Sequence, residues 1–441
     1  MRKLCNYLVI ILLANISFLF SPREFPAEAI HKWGDFYIPL NSGIGVRVNG
    51  DAFAFVALAT NPGRLLEKNQ VRQSRPGYII AANLVGSVIY AVTYPFRDQL
   101  EHFFQSRISD NYPQKEKEKI ARWFSYYSAF VFLNLLVLLA CLYIFDKLVL
   151  HYTGPWKNKG LHFLFLFLLV ANPVTKLFFW SPHVQMFNIL LPLLMVWTCI
   201  KLYGFSGNNQ RFYIVSAFAG ILLLFYGSFL LLLPILLFSY WKNLQLTNRS
   251  MEWENLLTIT LILLFYALPV LLWMGYIQLQ GIPFYSAEIA EYRQFIWIAD
   301  ALRASRGNLF SALLSNTIQF INSLASLMLP AFFLLAAFLY SRKQPANTAF
   351  PASAKQQILP TLLFCLLFFW LLGYYADRLS FSLAGILYLT AALYINSIPT
   401  SRRFTVLFWA ICLIAHFALI IGTLAISGQP ISTNPFLLHY P

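Results

Sequence analysis

Asp51 is the residue whose setting best suits acid–base chemistry. It follows Asn49 and Gly50 and begins an apolar stretch with helical spacing, DAFAFVALA. This pattern places a carboxylate at the start of a helix on a membrane surface, where it could take a proton from a hydroxyl group as a general base. Aspartate is also a favoured N-cap residue, so a purely structural role at the helix end is the alternative.

Two arginines lie in short polar turns and are candidates for binding an anion. Arg75 precedes Pro76-Gly77-Tyr78, and Arg378 lies within YYADRLSF. The planar fork of N–H donors on arginine matches the oxygens of a phosphate group. The simpler interpretations are a surface charge for Arg75, and for Arg378 an interfacial anchor or an ion pair with Asp377.

A third polar turn, at 181–188, separates two apolar runs. It contains His183 and Gln185, which either contact a substrate or are ordinary polar residues of the membrane interface. The sequence contains no CxxC, HExxH or phosphate-binding glycine loop, so it indicates no metal site and no cofactor.

A membrane-embedded scaffold must hold these side chains in place. Of the 441 residues, 59% are hydrophobic and only 11% are charged. Soluble proteins carry about 25% charged residues, so a soluble enzyme or binding module is excluded. Disorder is excluded as well, because disordered chains are poor in apolar residues. The composition predicts a multi-pass protein of the lipid bilayer.

The apolar runs predict an all-α transmembrane bundle of about eleven spans. The whole chain, 1–441, is expected to form one integral membrane domain, in which 21–122 is a large outer loop with interfacial helices. A second outer loop at 280–318 should carry a surface helix with one apolar face. The runs lie near 4–20, 124–146, 161–180, 184–204, 212–226, 228–241, 255–279, 319–341, 358–375, 379–397 and 404–427.

The formal charge of +15 is interpreted as a sign of membrane orientation. Lysines and arginines favour short cytoplasmic loops, and this bias predicts a cytoplasmic N-terminus if 77–94 does not cross the bilayer. We therefore expect 77–94 to lie in the outer leaflet or to re-enter it. The N-terminal run is either a retained span, which we favour, or a signal peptide with a cleavage site near 27–29.

Three stretches together resemble the GT-C superfamily of membrane glycosyltransferases, which use polyprenyl-phosphate-linked sugar donors. The first is DAFAFVALATNPG with VRQSRPGYIIAANLVG, an acidic residue and short helix followed by an arginine–proline element. The second is ANPVTKLFFWSPHVQMFNILLPLLMVW, and the third is YYADRLSFSLAGILYLTAAL. The turn at 181–188 departs from the superfamily, because it lacks the carboxylate usually present there. A divalent cation is therefore left open but is not indicated.

The resemblance implies a GT-C-like fold and an inverting sugar transfer on the outer face, to a hydroxyl of a glycan, lipid or protein. Asp51 would be the general base, and Arg378 and Arg75 would bind the donor phosphate. The side chains expected to contact donor or acceptor are His183, Gln185 and Tyr78.

Two other functions stay open at this stage. One is a transporter or flippase for a lipid-linked glycan. The sequence shows no internal repeat and few ionisable residues within the apolar runs, and both observations count against ion-coupled transport. The other is a non-catalytic assembly protein, in which Asp51 only caps a helix. Nucleic acid is not an expected partner, because the excess of lysine and arginine is explained by the orientation of the protein in the membrane.

Overall fold

A computed structural model of the chain describes residues 2–18, 36–39, 45–48, 51–105, 120–203, 209–247, 252–343 and 350–422. The regular elements of these residues are helices, apart from one antiparallel hairpin in which Phe36–Pro39 pairs with Gly45–Val48. The hairpin is the one departure from the all-α expectation within the described part of the chain.

The α-helices, numbered in chain order, are α1 (Arg2–Phe18), α2 (Asp51–Thr60), α3 (Pro76–Thr93), α4 (Arg97–Gln105), α5 (Ile120–Thr153), α6 (Lys159–Val170), α7 (Pro173–Phe178), α8 (Phe187–Leu202), α9 (Gln210–Leu223), α10 (Leu232–Leu246), α11 (Trp253–Leu279), α12 (Ala287–Ala290), α13 (Ile296–Ala304), α14 (Arg306–Ser323), α15 (Met328–Arg342), α16 (Ala352–Leu372), α17 (Asp377–Ser380), α18 (Ala384–Ser397) and α19 (Arg402–Gly422). Short 3₁₀ segments lie at Pro62–Leu66, Tyr94–Phe96, Val184–Met186, Gly227–Leu231, Leu324–Leu327 and Phe381–Leu383.

The protein is a multi-pass membrane protein. Within the described residues, nine helical segments are long and apolar enough to cross a bilayer, fewer than the eleven or so predicted. They are Pro76–Leu100, Arg122–Thr153, Val184–Leu202, Gly227–Leu246, Trp253–Leu279, Gly307–Arg342, Ala352–Leu372, Asp377–Ser397 and Arg402–Ile420. Shorter apolar helices are Asp51–Thr60, Lys159–Val170 and Gln210–Leu223.

The apolar run 161–180 is not one helix, which is one reason for the lower count. It divides into α6 and α7 at Asn172–Pro173. The Asn172 side chain accepts a hydrogen bond at 2.9 Å from the backbone N–H of Thr175 and so caps α7. Proline fits the first turn of a helix but disrupts the interior of one, so Pro173 accounts for the break between α6 and α7.

Helix α5 is the central element of the bundle. Its 34 residues make it about 51 Å long, well beyond a hydrocarbon layer of about 30 Å. It contacts α1, α2, α3, α6, α8 and α18. The positions of the other elements can therefore be described by where along α5 they make contact.

One end of the bundle gathers the N-terminus and several short loops. Asp146, near the end of α5, is buried and accepts hydrogen bonds from Lys3 at 3.1 Å and from Tyr7 at 2.8 Å. Lys157, in the next loop, donates to the carbonyl of Ser397 at 3.0 Å. We call this the Asp146 end. The turns after α9, α11 and α16 lie at the other end, which we call the site end.

Helix α3 begins at the site end and runs away from the Asp146 end. Tyr78 near its start bonds to Asn134, whereas Thr93 at its last residue contacts Ser125, nine positions earlier on α5. That offset corresponds to about 13 Å along α5.

The segment Pro76–Leu100 has the length and hydropathy of a membrane span, although the sequence predicts that 77–94 lies in the outer leaflet or re-enters it. How it meets the bilayer stays a prediction.

Candidate functional site

The Asp51 carboxylate lies at the centre of a cluster of polar side chains at the site end. It is the first residue of α2, where a negative charge interacts favourably with the helix dipole. Its Oδ2 lies 3.2 Å from Arg72 Nη2 and 3.2 Å from His183 Nε2. Its side chain is 48% exposed, whereas those of Arg72 and His183 are 13% and 8% exposed. Arg72 and His183 therefore hold one oxygen of the carboxylate, while about half of the side-chain surface stays exposed.

Burial would raise the pKa of Asp51, but its cationic and hydrogen-bonding neighbours outweigh burial. The Arg72 guanidinium and the His183 hydrogen bond, with a further contribution from Arg378, hold the pKa of Asp51 well below its usual range. Asp51 is therefore ionised at neutral pH, and its exposed side is open to a hydroxyl group.

His183 is neutral at neutral pH. Burial lowers its pKa to about 4, although the hydrogen bond to Asp51 acts in the opposite direction. The imidazole packs against the rings of Phe55 and Phe178, with centroid distances of 5.7 and 4.9 Å. In the neutral ring, Nε2–H donates to Asp51, and this bond assigns the tautomer. Nδ1 is buried and has no hydrogen-bond partner among the described residues.

Asn134 of α5 holds the turn that presents His183. Its Nδ2 donates to the carbonyls of Phe178 and Phe179, both at 3.0 Å, and of Ser181 at 3.2 Å. Its Oδ1 accepts the Tyr78 hydroxyl at 2.9 Å. Sequence reasoning missed Asn134. The available signal was an amide within an otherwise apolar run.

Tyr78 does not lie where the sequence analysis expected it. It is fully buried, with its ring 5.0 Å from Phe130 and 5.7 Å from Phe187 between centroids. Its hydroxyl is used by Asn134. Tyr78 therefore supports the turn that carries His183 and does not face the open side of Asp51.

Arg72, which the sequence did not single out, contacts Asp51, whereas Arg75 was predicted to bind the donor phosphate. The Arg72 guanidinium also lies over the Phe55 ring, 4.7 Å from its centroid, and its Nε has no hydrogen-bond partner in the described structure. The two arginines are three residues apart in VRQSR, so the sequence alone could not separate their roles.

Arg75 is instead paired with Glu288 of α12. Glu288 also accepts hydrogen bonds from the hydroxyls of Ser74 at 3.1 Å and Ser286 at 2.9 Å. Both members of the ion pair are largely buried, at 13% and 18% side-chain exposure. Glu288, in the second predicted outer loop, therefore forms an ion pair with Arg75, the residue that the sequence analysis assigned to the donor phosphate.

Gln73 bonds both to the second loop and to α11, which precedes that loop. Its side-chain oxygen accepts the backbone N–H of Tyr285 at 2.7 Å, and its carbonyl accepts Trp273 Nε1 at 2.8 Å. The expected loops 21–122 and 280–318 thus meet at the site, at least through their described residues.

Arg378 lies in the short helix α17, close enough to Asp51 to lower the pKa of that carboxyl. Its Nη2 donates to the Tyr374 hydroxyl at 3.1 Å, and its Nε is buried without a hydrogen-bond partner within the described ranges. Asp377 is exposed, and no ion pair joins it to Arg378 among those same residues. Part of this guanidinium is therefore not used by the described residues around it.

Gln185 is occupied by a neighbouring amide. Asn188 Nδ2 donates to Gln185 Oε1 at 2.5 Å and to the backbone carbonyl of Arg378 at 3.3 Å. The Asn188 Oδ1 accepts the Tyr226 hydroxyl at 2.8 Å. Gln185 is buried, so these bonds connect the turns that carry His183 and Arg378 instead of presenting Gln185 to solvent.

Taken together, the site offers one open carboxylate beside two guanidinium groups, those of Arg72 and Arg378. This arrangement can accept a proton and stabilise an anion within a short distance. Among the described residues, no group of three or more His, Cys, Asp or Glu side chains could hold a metal ion. Comparison with protein-family models, curated proteins and solved structures finds no match to the chain.

Proposed function

We propose that this protein is a membrane glycosyltransferase of GT-C type that transfers a sugar from a polyprenyl-phosphate donor to an acceptor hydroxyl. The observation that carries the proposal is the half-exposed, ionised Asp51 carboxylate, which lies beside the partly unsatisfied guanidinium groups of Arg72 and Arg378. A sugar transfer of this kind needs a base and an anion site close together, and we assign these roles to the three side chains.

The proposed reaction is a single displacement. The acceptor oxygen forms a bond to the anomeric carbon while the bond from that carbon to the phosphate oxygen breaks. Asp51 takes the acceptor proton, and the lipid phosphate leaves with the bonding electron pair. Arg378 and Arg72 stabilise the charge that develops on the phosphate. Attack opposite the leaving group inverts the anomeric configuration.

Arg72 replaces Arg75 as the second phosphate ligand in this proposal. Arg75 is committed to Glu288, whereas Arg72 has an unpartnered Nε and touches the base directly. The donor would therefore be a polyprenyl-phosphate sugar, and the acceptor a hydroxyl of a glycan, lipid or protein. No step requires a metal ion.

We further propose that the site faces outward and that the N-terminus is cytoplasmic. Support comes from the basic residues near the Asp146 end, among them Lys3, Lys157 and Lys343, because short basic loops favour the cytoplasm. On this orientation the donor would be used on the outer face of a bacterial inner or plasma membrane.

The buried ionisable groups fit a transporter less well. Asp146 is fully engaged by Lys3, Tyr7 and Trp156. Lys176 donates to the carbonyls of Leu419 at 2.9 Å and Ile420 at 3.3 Å. Ion-coupled transporters keep such groups along a substrate path, whereas these are used in packing between helices.

The experiment is donor turnover by purified protein in lipid nanodiscs. A panel of polyprenyl-phosphate-linked hexoses and pentoses, radiolabelled in the sugar, is supplied with a membrane extract as the source of acceptors. The wild type is expected to release polyprenyl phosphate and transfer label from at least one donor. The Arg72→Gln variant should lower that rate by about 10²–10³-fold.

Arg64→Gln provides the matched control, because Arg64 lies in the same loop but pairs with Glu67 at 3.0 Å. It should leave the rate unchanged. Wild-type protein that turns over none of the donors would contradict the proposal, as would Arg72→Gln and Arg64→Gln variants of equal rate.

A further inference from the structure

Two tyrosines lie beside the Asp51 cluster and have no role in the reaction described above. The rings of Tyr292 and Tyr374 are 5.4 Å apart between centroids, at an interplanar angle of 48°. Tyr374 accepts the hydrogen bond from Arg378, and Tyr292 interacts electrostatically with both Arg72 and Asp51. The pair therefore lies next to Arg378 and within electrostatic reach of Asp51 and Arg72.

Tyr292 is held in an exposed position. It is 47% exposed, whereas the side chains of the neighbouring Arg72 and His183 are largely buried. The chain just after it is strained, because Arg293 and Phe295 adopt left-handed φ angles of 52° and 62°. Such conformations cost non-glycine residues free energy and persist only where the surroundings fix them.

The surroundings that fix this segment belong to the end of α16. The backbone N–H of Phe295 donates to the Leu372 carbonyl at 3.3 Å, and the Phe295 ring packs 5.4 Å from that of Phe368. Trp297 Nε1 donates to the Leu371 carbonyl at 2.9 Å. The strained segment is thus docked on the helix that leads directly into Tyr374 and Arg378.

Gly373 makes this docking possible. It has a φ of 74°, and a Cβ at this position would overlap the Trp297 indole. The docking places Tyr292 against Tyr374 while nearly half of the Tyr292 surface stays open.

We propose that Tyr292 and Tyr374 form an aromatic platform that binds the sugar ring of the substrate. The electron-rich face of an aromatic ring attracts the partially positive C–H groups on the apolar face of a neutral hexose or pentose. A donor sugar stacked on Tyr292 would place its glycosyl phosphate toward Arg378 and leave Asp51 free to face the acceptor hydroxyl. The inference rests on the proposed function, since it names the substrate group that the same site would hold.

The test measures binding and needs no turnover. Saturation-transfer NMR is recorded on the protein in nanodiscs with a panel of methyl hexopyranosides and methyl pentosides as probes. Glycoside detergents are avoided because they would compete. Wild-type protein should bind at least one probe, and Tyr292→Ala should weaken that binding by about tenfold, which is about 1.4 kcal/mol. Tyr292→Phe keeps the ring and should bind as the wild type does.

Tyr94→Ala is the matched control. Tyr94 is 48% exposed and, like Tyr374, contacts a second tyrosine ring and an arginine, but it lies at the far end of α3 from the site. Its replacement should leave glycoside binding unchanged. Asp51→Asn should also bind the probes, so loss of transfer in that variant can be distinguished from loss of sugar binding.

The possible outcomes separate the two proposals. Glycoside binding that depends on Tyr292 supports the platform even if no donor is turned over. Wild-type protein that binds none of the probes overturns the platform, even if transfer depends on Asp51. The platform is also overturned if Tyr292→Ala binds the probes as tightly as the wild type or Tyr94→Ala does.

Discussion

Asp51 and His183 are 132 positions apart in the chain, and they meet at 3.2 Å between the carboxylate Oδ2 and the imidazole Nε2. The contact joins the start of α2 to the turn before α8. The imidazole is neutral and donates to the carboxylate, so it orients Asp51 without competing for the proton that Asp51 would accept. His183 is therefore a positioning residue in this account.

The buried neutral His183 predicts a specific dependence of stability on pH. Its pKa is about 4 in the folded protein, against 6.5 ordinarily. Between these values the unfolded chain binds a proton that the folded protein does not, so stability falls as pH decreases from 6.5 to 4. The full loss attributable to His183 is on the order of 3 kcal/mol.

Thermal unfolding in nanodiscs at pH 7 and pH 5 measures this effect. His183→Gln should lose less stability over that interval than the wild type. His151→Gln serves as control, because His151 is an exposed histidine near the Asp146 end, and it should respond to pH as the wild type does. A wild-type response retained in His183→Gln would refute the assignment.

The Arg75–Glu288 pair predicts strong coupling between two distant loops. Removing one member leaves the other charge buried and unpaired, so Arg75→Gln and Glu288→Gln should each lower the free energy of unfolding by about 3–5 kcal/mol. The double variant should lose much less than the sum of the two. Unfolding of all four proteins in nanodiscs gives the coupling energy. Additive losses would show that Arg75 and Glu288 do not interact as described.

The Gly373–Trp297 contact predicts that one methyl group will undock the segment that carries Tyr292. Gly373→Ala should be destabilising, by about 1–2 kcal/mol for the left-handed backbone and about 1–3 kcal/mol more for the clash with Trp297. Gly281→Ala is the matched control, because Gly281 has the same φ of 74° and nothing within 4 Å of an added Cβ.

Limited trypsin digestion separates the two glycine variants. Cleavage at Arg293, in the docked segment, should become faster in Gly373→Ala and stay at the wild-type rate in Gly281→Ala. Equal cleavage of the two variants would mean that the indole contact does not hold the segment in place.

The direction of α3 predicts which positions share a side of the membrane. In a Cys5→Ser background, since Cys5 is the exposed cysteine among the described residues, single cysteines are placed at exposed Asp98, Asp377 and Lys343. A membrane-impermeant maleimide should label positions 98 and 377 of intact cells, and position 343 only after permeabilisation. If position 98 is labelled together with 343 instead, the segment Pro76–Leu100 crosses the bilayer and the proposed orientation fails.

The sequence was sufficient to predict the membrane class and the helix that begins at Asp51, because apolar content and local helical patterning need no tertiary information. It could not select Arg72 over Arg75, since that choice depends on Glu288, which lies more than 200 positions away. Tyr78 illustrates the same limit. Its place beside an arginine–proline element indicated a substrate contact, but the amide of Asn134 on another helix determines where its hydroxyl points.

The central claim is that Asp51 is the base of a sugar transfer, and donor turnover by Asp51→Asn tests it most directly. Asparagine keeps the shape and can still accept a hydrogen bond from His183, but it cannot take the acceptor proton. With the donor that the wild type uses, Asp51→Asn should be about 10²–10⁴-fold slower. Asp377→Asn, an exposed acid beside Arg378, should match the wild type. An Asp51→Asn protein that is folded and transfers sugar at the wild-type rate would contradict the account.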